Sequence, residues 1–482
     1  MRTFTIKNGH FFLIGLLVLP IILSGYYYID DIGRSSLGYT LWSTNGRPIT
    51  ELLFIILSQG RTLIDISPLT YIVSIFVLGF SASIISNLLR IDCCYYKLII
   101  GASFALNPFM IEVLSYRYDS LSMALSILFT CLSVKSGWND GLNYNSFMKS
   151  SALLTLTMCT YQPSIGIYIA FSIFELVYNV LNTNYKLTQT LKRILVLIFV
   201  QIIYIFLISK LFVTGDYNTT HGELTFNPYD IINNAAIYYN LFSSSYGGFF
   251  PFVYILMAIG IIFTSIKSLK IISRSKKNLY SKIFAIFISA AFPFLLLISP
   301  VLSIIFLKDP VISPRILISF GAVLFISIYC VYVNFYRAGY ILIGLLAASS
   351  LSLYYAYGNA LTSQDILERN YANDIANVIS NQIPQPSNLI IKGYMNQSQI
   401  AVLYSSRFPI IGKTISPVFK QNWMFSSIYL SQYGINIDYK PFNGSKEDFE
   451  KYCSSELLKQ NSNYNIFKNG DDIFLSFDKC NP

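Results

Sequence analysis

The chain has 482 residues, of which 54% are hydrophobic and only 12% are charged. A soluble domain carries about 25% charged residues, so this composition excludes a large water-soluble enzyme, and the high apolar content excludes intrinsic disorder. The net charge of +10 is best explained by basic residues gathered in loops on one side of a membrane, and we expect no nucleic-acid partner.

The scarcity of histidine and the absence of two common motifs argue against further classes of site. The sequence has two histidines, His10 and His221, and no CxxC pair, which argues against a zinc site and against a His-based catalytic triad. It also has no GxxxxGK[ST] motif, which argues against an ATP-driven pump.

About eleven apolar runs predict an all-α polytopic membrane protein, since each crossing of about 30 Å of hydrocarbon needs roughly 20 residues. The fourth and fifth runs are short. In chain order the runs lie near residues 10–29, 69–89, 98–115, 120–134, 150–162, 164–183, 194–213, 249–266, 283–307, 316–336 and 339–357.

Basic residues predict the orientation of these spans. If the N-terminus is cytoplasmic, the inner loops hold more than twice as many Lys and Arg residues as the outer loops, in agreement with the positive-inside rule. The first run lacks an A-x-A-like cleavage site, so we expect it to be retained as a span. An odd number of spans then places the chain after residue 357 outside the cytoplasm.

The last part of the chain differs in composition from the membrane domain predicted over 1–357. Residues 358–482 have no apolar run long enough to span a membrane and predict a small α/β domain outside the cytoplasm. Its predicted elements are a helix over 364–381, strands over 388–392 and 434–439, and a hairpin over 464–477 with an Asn-Gly turn.

Two cysteines, Cys453 and Cys480, lie in this last part of the chain. Outside the cytoplasm they predict a disulfide, and two free thiols are the alternative. The other five cysteines lie in or beside apolar runs, where we expect them to be packing residues.

The first outer loop opens with two adjacent carboxylates. Asp30 and Asp31 follow the Tyr-rich end of the first run, Arg34 comes three residues later, and Arg47 lies further along. A carboxylate at an apolar boundary loses hydration, which raises its pKa and suits it to accept a proton from an alcohol as a general base. Arginine binds phosphate through paired charge-assisted hydrogen bonds. The loop therefore predicts transfer from a lipid-phosphate donor, with Asp31 as the base and Asp30 as its supporter or alternate.

An alternative is that Asp30 and Asp31 cap the following helix and only mark the end of a span. The pair is also a conceivable site for a divalent metal, but the sequence shows too few further oxygen ligands to support one. We therefore predict neither a metal ion nor another cofactor.

Further arginines and polar residues complete the predicted site. Arg117 and Arg315 join Arg34 and Arg47 as candidates for binding the donor phosphate, while a local ion pair and a membrane anchor are their structural alternatives. The candidates for binding substrate are Asp119, Gln162 and Trp42.

Glu175 lies well within the predicted span over 164–183. A charge at the centre of a bilayer costs about 2.5–3.5 kcal/mol on insertion scales, so we expect Glu175 to face the interior of the bundle.

Two motifs of the first outer loop resemble a known family. They are Asp30-Asp31-x-Gly33-Arg34 and Trp42-x3-Gly46-Arg47-Pro48. They are similar to the membrane glucosyltransferases of the type II family, commonly phage-encoded, which modify O-antigen and convert serotype and which resemble the GT-C class of glycosyltransferases. The resemblance extends over roughly residues 1–360 and is carried mainly by the first 120, including Asn107-Pro108 and Tyr116-Arg117-Tyr118-Asp119-Ser120.

The resemblance implies a donor, a partner set and a location. The donor is undecaprenyl-phosphate-glucose, which a lipid-linked-glucose synthase makes and a flippase carries outward. The enzyme moves glucose to its acceptor, a hydroxyl of the O-antigen repeat of a lipopolysaccharide precursor, on the periplasmic face of the bacterial inner membrane. The domain predicted over 358–482 is then periplasmic and is a candidate for binding this acceptor. Members of the class usually invert the anomeric configuration in one displacement.

Two other functions stay open at this point. A flippase or transporter of lipid-linked sugar would place charges along a path through the spans, whereas the sequence concentrates them at one face. Another envelope transferase, such as an O-antigen ligase, a polymerase or a lipid-linked pentose transferase, would share the type of donor. Ligases and polymerases usually place their chemistry in a later, large outer loop.

Overall fold

Apolar segments in the first three quarters of the chain fold into helices, since a helix satisfies its own backbone hydrogen bonds within lipid. The computed structural model describes residues 2–138, 141–183, 185–382 and 386–480. The helices up to residue 380 are α1 (Arg2–Ser24), α2 (Asp30–Leu37), α3 (Pro48–Leu57), α4 (Leu69–Ser86), α5 (Cys94–Gly101), α6 (Ser103–Leu106), α7 (Met110–Ser115), α8 (Asp119–Lys135), α9 (Tyr144–Met158), α10 (Ile165–Leu181), α11 (Leu187–Ile203), α12 (Lys210–Phe212), α13 (Asp216–Gly222), α14 (Pro228–Ser243), α15 (Phe250–Ser273), α16 (Leu279–Ile298), α17 (Phe320–Asn334) and α18 (Tyr336–Ser380).

Seven helical segments among the described residues are long and apolar enough to cross a membrane. In the other four of the eleven predicted runs the apolar helices are shorter or interrupted. The apolar part of α1 is Gly9–Ser24, run 98–115 is divided among α5, α6 and α7, and α8 and α9 have 17 and 15 residues. The structure thus has the character of a polytopic membrane protein, without establishing eleven crossings.

The interruption of run 98–115 matters for the site. Pro108 has no N–H to continue a helix, and the side-chain amide of Asn107 donates to the carbonyls of Leu317 and Ile318, both at 3.2 Å. The chain therefore leaves the helical path between α6 and α7, and two buried carboxylates, Glu112 and Asp119, follow this break.

The predicted domain boundary at residue 358 falls inside a helix. Helix α18 has 45 residues and includes most of the helix predicted over 364–381. Gly358 packs against α1, where an added Cβ would lie 2.6 Å from the carbonyl oxygen of Pro20. Because Gly358 has no side chain, the two helices can approach closely at this point. Helix α18 continues past it from the membrane domain into the C-terminal domain.

The C-terminal domain combines helices with a five-stranded sheet. Its elements are β1 (Asn388–Lys392), α19 (Gln399–Arg407), α20 (Pro409–Thr414), α21 (Phe425–Ser431), β2 (Asp438–Tyr439), α22 (Lys446–Cys453), β3 (Glu456–Gln460), β4 (Asn465–Asn469) and β5 (Asp472–Ser476). The strand order is β2-β1-β5-β4-β3, in which β1 is parallel to β2 and β5 and the other pairs are antiparallel. The predicted hairpin is present as β4 and β5. The strand predicted over 434–439 shortens to two residues, and β3 was not predicted.

Two contacts hold the C-terminal domain together and join it to helix α2. A disulfide joins Cys453 at the end of α22 to Cys480 after β5. Ile32 of α2 belongs to the buried core of the C-terminal domain, together with Ile375, Phe425 and others. Helix α2 is therefore packed on a domain that follows it by more than 300 residues.

Glu175 faces the interior of the bundle, where it pairs with Arg193. The guanidinium Nε lies 2.9 Å from Glu175 Oε2, and both side chains are 2% exposed. The same guanidinium donates to the carbonyls of Ser133, Val134 and Ser136 at the end of α8. Arg193 therefore satisfies both a buried carboxylate and the free carbonyl groups at the C-terminal end of α8.

Candidate active site

A cavity of about 1290 Å³ lies between the membrane helices, helix α2 and the C-terminal domain. Its walls combine charged side chains with a large apolar surface. The segments that contribute to it are the turn before α2 and α2 itself, residues 39–47, 112–123, 158–165, 201–213, 218–224, 303–316 and, from the C-terminal domain, 413–441.

The adjacent carboxylates of α2 have different surroundings. Asp30 lines the cavity, and its side chain is 39% exposed. Asp31 is fully buried and is not among the described residues that line the cavity. Its carboxylate accepts hydrogen bonds from the backbone N–H groups of Tyr28 at 3.3 Å, Arg117 at 2.8 Å and Tyr118 at 3.5 Å. Asp31 thus joins α2 by hydrogen bonds to the residues that precede α8.

Burial raises the pKa of Asp31 to about 8, an effect that the backbone N–H group of Arg117 opposes. A raised pKa was predicted for a carboxylate at this place. Its cause is burial inside the protein, at a position behind the wall of the cavity.

Two arginines are held in the cavity wall by one carboxylate. Arg34 Nη1 lies 2.7 Å from Asp119 Oδ2, and Arg47 Nη1 lies 3.8 Å from Asp119 Oδ1. Arg34 also lies 3.6 Å from Asp30 Oδ2. Its Nε is buried and has no hydrogen-bond partner among the described residues.

Trp42 contacts both Asp119 and Arg34. Its indole N–H donates to Asp119 Oδ1 at 2.7 Å, and its ring stacks on Phe54 with centroids 4.7 Å apart. The guanidinium of Arg34 lies over the same indole at 4.2 Å. Trp42 is fully buried and absent from the described cavity lining, so its contacts are with Asp119 and Arg34 and not with the cavity.

Arg315 lines another wall of the cavity, next to a carboxylate that sequence reasoning missed. Glu112 is 3% exposed and accepts hydrogen bonds from the hydroxyl of Ser313 at 2.6 and 2.7 Å and from the backbone N–H of Arg315 at 2.7 Å. The guanidinium of Arg315 lies over the ring of Tyr116 at 5.0 Å and has no carboxylate within 4.0 Å among the described residues. The sequence feature that could have pointed to Glu112 is its position inside the apolar run 98–115.

Gln162 also lines the cavity. Its side-chain oxygen accepts from Arg47 Nε at 3.1 Å, and its amide nitrogen donates to the carbonyl of Asn45 and the hydroxyl of Tyr204. Gln162 therefore orients Arg47 by a direct contact.

The side chain of Arg117 lies apart from the three arginines that line the cavity. Its Nη1 lies 2.9 Å from Asp65 Oδ2 and its guanidinium lies over the ring of Tyr27 at 4.1 Å, outside the described cavity lining. Its side chain makes the local ion pair that was the structural alternative. Among the described residues, no group of three or more His, Cys, Asp or Glu side chains is placed to hold a metal ion.

These features define a helical membrane protein whose cavity places a carboxylate beside several arginines at one end of the bundle. The model of the glucosyl transferase GtrII family matches residues 19–326. The chain belongs to this family and is a glycosyltransferase, which confirms the family resemblance of the first outer loop. Every arginine and carboxylate described above as lining the cavity lies within the matched residues.

One relative extends over nearly the whole chain. It is described as an uncharacterized 55.3 kDa protein in the gtrB 5′ region of Salmonella phage P22, and it is 28% identical over 472 residues, which cover 95% of each chain. No solved structure matches the chain.

Proposed function

We propose that the chain transfers glucose from undecaprenyl-phosphate-glucose to a hydroxyl of the O-antigen repeat, and thereby changes serotype. Family membership supports glucosyl transfer, and the phage relative from a gtrB region supports O-antigen modification. We place the reaction on the periplasmic face of the bacterial inner membrane, with the N-terminus in the cytoplasm. A lipid-linked-glucose synthase and a flippase supply the donor in this proposal.

The observation that carries the proposal is the common cavity of Asp30, Arg34, Arg47 and Arg315. A transfer of this kind needs a base for the attacking hydroxyl and positive charge for the departing phosphate. In one displacement the acceptor oxygen bonds to the anomeric carbon while the bond from that carbon to the phosphate oxygen breaks. The hydroxyl proton passes to Asp30, the phosphate leaves with the electron pair, and the configuration is inverted.

The base in this proposal is Asp30, the supporter or alternate of the sequence-based expectation, in place of Asp31. A base must lie within hydrogen-bond reach of the proton that it removes. Asp30 lines the cavity, whereas the Asp31 carboxylate is fully buried among backbone N–H groups. Asp31 acts here as a positioning residue that holds α2 in place.

Guanidinium groups from three different segments supply the phosphate site. Arg34 comes from α2, Arg47 from the end of the following loop, and Arg315 from the segment before α17. Arginine is suited to this role because its planar fork donates two parallel hydrogen bonds to a phosphate. Asp119 and Gln162 orient two of these groups, so their substrate-binding role is indirect in this proposal.

The test is to express the chain together with a lipid-linked-glucose synthase and a flippase and to examine the O-antigen by NMR for an added glucose. Asp30→Asn should lower transfer by about 10²–10⁴-fold, the usual worth of a general base. Asp31→Asn should lower transfer less per folded molecule, because the proton acceptor remains. If Asp31→Asn lowered transfer more than Asp30→Asn, the base would be Asp31. A wild type that adds no glucose to the O-antigen would reject the proposed function.

A further inference from the structure

Part of the cavity wall that the C-terminal domain provides has a different chemistry from the arginine-bearing walls. Asn422, Trp423 and Tyr439 line it together. We propose that these three residues form the subsite that binds the acceptor saccharide and selects it. This inference rests on the proposed function and adds to it the residues that recognise the acceptor.

Trp423 offers one aromatic face to a ligand. The ammonium of Lys420 lies over its ring at 3.9 Å, and the ring of Phe425 meets it edge to face with centroids 5.0 Å apart. These contacts fix the indole, which is half-buried and still lines the cavity. A flat, rigid aromatic surface suits the C–H face of a pyranose ring, since it buries apolar area at a low cost in side-chain entropy.

Asn422 supplies directional hydrogen bonding beside this surface. Its backbone has φ of 57°, in the left-handed region that asparagine tolerates better than most residues. Its side-chain oxygen accepts from the backbone N–H of Phe442 at 3.1 Å and from the hydroxyl of Tyr439 at 3.4 Å. Because the oxygen is engaged, the amide nitrogen, which has no hydrogen-bond partner among the described residues, is oriented as a donor for a sugar hydroxyl.

The same wall is packed directly against the helix that carries the base. An added Cβ on Gly33 would lie 2.5 Å from Cε1 of Phe425, so only a glycine lets α2 approach α21 this closely. The amide of Gln432 also donates to the hydroxyl of Ser36 at 2.9 Å. A saccharide held on Trp423 is therefore held by an element in contact with α2, which keeps its hydroxyl in register with Asp30.

The donor side and this wall also differ in their place along the chain. The cavity-lining arginines and carboxylates lie within the residues that match the family model, which end at 326, whereas the three wall residues follow residue 420. A shared donor site within the matched part and an acceptor site beyond it give the two substrates separate recognition elements.

The experiment uses the purified full-length protein in detergent with radiolabelled undecaprenyl-phosphate-glucose as donor and a panel of O-antigen polysaccharides as acceptors. Transfer kinetics are compared for Trp423→Leu, Asn422→Ala and Tyr439→Phe, with Tyr394→Leu as the matched control. Tyr394 is an exposed aromatic residue of the same domain, outside the described cavity lining. We expect Trp423→Leu and Asn422→Ala to raise the KM for the polysaccharide at least tenfold and Tyr394→Leu to leave it unchanged.

The KM for the donor should stay within twofold in all of these variants, because they leave the arginines in place. Size-exclusion chromatography verifies the fold, and if Trp423→Leu aggregates, Trp423→Phe and Asn422→Ala carry the test. An active wild type whose wall variants keep the wild-type KM for polysaccharide overturns this inference while the proposed function stands. A wild type that transfers glucose to no polysaccharide overturns the proposed function and this inference with it.

Discussion

Arg34 and Asp119 form a buried ion pair in which Nη1 of the arginine lies 2.7 Å from Oδ2 of the carboxylate, with side-chain exposures of 5% and 4%. The residues are 85 positions apart in sequence and belong to α2 and to the first turn of α8. Since Asp119 also accepts the indole N–H of Trp42, one carboxylate fixes the position of the arginine nearest to Asp30.

Asp119→Asn should therefore weaken catalysis without removing a group that touches substrate. The variant loses a charge-assisted hydrogen bond, which is worth about 1.5–3 kcal/mol. We expect kcat/KM for the donor to fall by roughly 10- to 150-fold, the same free energy expressed as a rate ratio. Trp42→Phe, which removes only the neutral indole donor and keeps an aromatic ring on Phe54, should cost less. Equal activity of Asp119→Asn and wild type would show that this ion pair does not support the reaction.

Arg315 and Arg117 provide a matched pair of arginine replacements. Arg315→Gln should raise the KM for the donor at least tenfold and leave the fold intact, since its guanidinium lies in the cavity over Tyr116 and no carboxylate depends on it among the described residues. Arg117→Gln should have little effect, because the Arg117–Asp65 pair lies outside the described cavity lining and a partly exposed ion pair is worth little. A larger loss in Arg117→Gln than in Arg315→Gln would contradict this assignment of the phosphate site.

Sequence patterns predicted the helical membrane class and the C-terminal α/β domain. They succeeded because long apolar runs, alternating strands and an Asn-Gly turn are local signals. The family was accessible from the spacing of Asp30, Arg34 and Arg47, which lie within 18 residues of one another.

The choice between Asp30 and Asp31 was beyond the sequence. Neighbouring residues on a helix point about 100° apart, and only the packing of α2 against other elements decides which one faces a cavity. That packing involves Ile32 and Phe425, which are almost 400 residues apart. Glu112 escaped notice for a related reason, because its partners Ser313 and Arg315 come from a segment 200 residues later.

The pair Glu175–Arg193 should contribute to stability and not to chemistry. Arg193→Ala removes an ion pair from a buried carboxylate and leaves carbonyls at the end of α8 without their donor, which should cost about 3–5 kcal/mol. We expect poor accumulation of this variant in the membrane. The double variant Arg193→Met with Glu175→Leu should recover much of the loss, since it removes both charges. Normal accumulation of Arg193→Ala, measured by immunoblot against a membrane marker, would contradict this role.

The titration of Asp31 predicts how stability depends on pH. Its pKa in the folded protein is about 8, above the value of about 3.9 for an unfolded aspartate, so the folded state binds the extra proton between these values. Stability from this group is therefore present at low pH and is lost as pH rises towards 8. The thermal midpoint of the wild type should fall more between pH 5 and pH 8 than that of Asp31→Asn, which cannot titrate. Parallel falls of the two midpoints would show that Asp31 does not titrate in this range.

The disulfide between Cys453 and Cys480 offers a test of the proposed location of the C-terminal domain. Disulfides persist in the periplasm and are reduced in the cytoplasm, so a periplasmic domain should hold the pair oxidised. In a variant whose other five cysteines are replaced by serine or alanine, a maleimide of high mass should shift the protein on a gel only after reduction. Cys453→Ser should in turn show one reactive thiol without reduction, and loss of the cross-link should destabilise the domain by about 2–5 kcal/mol. Labelling of both thiols in freshly lysed cells without a reductant would place this domain in a reducing compartment, and with it the end of the bundle that carries Asp30.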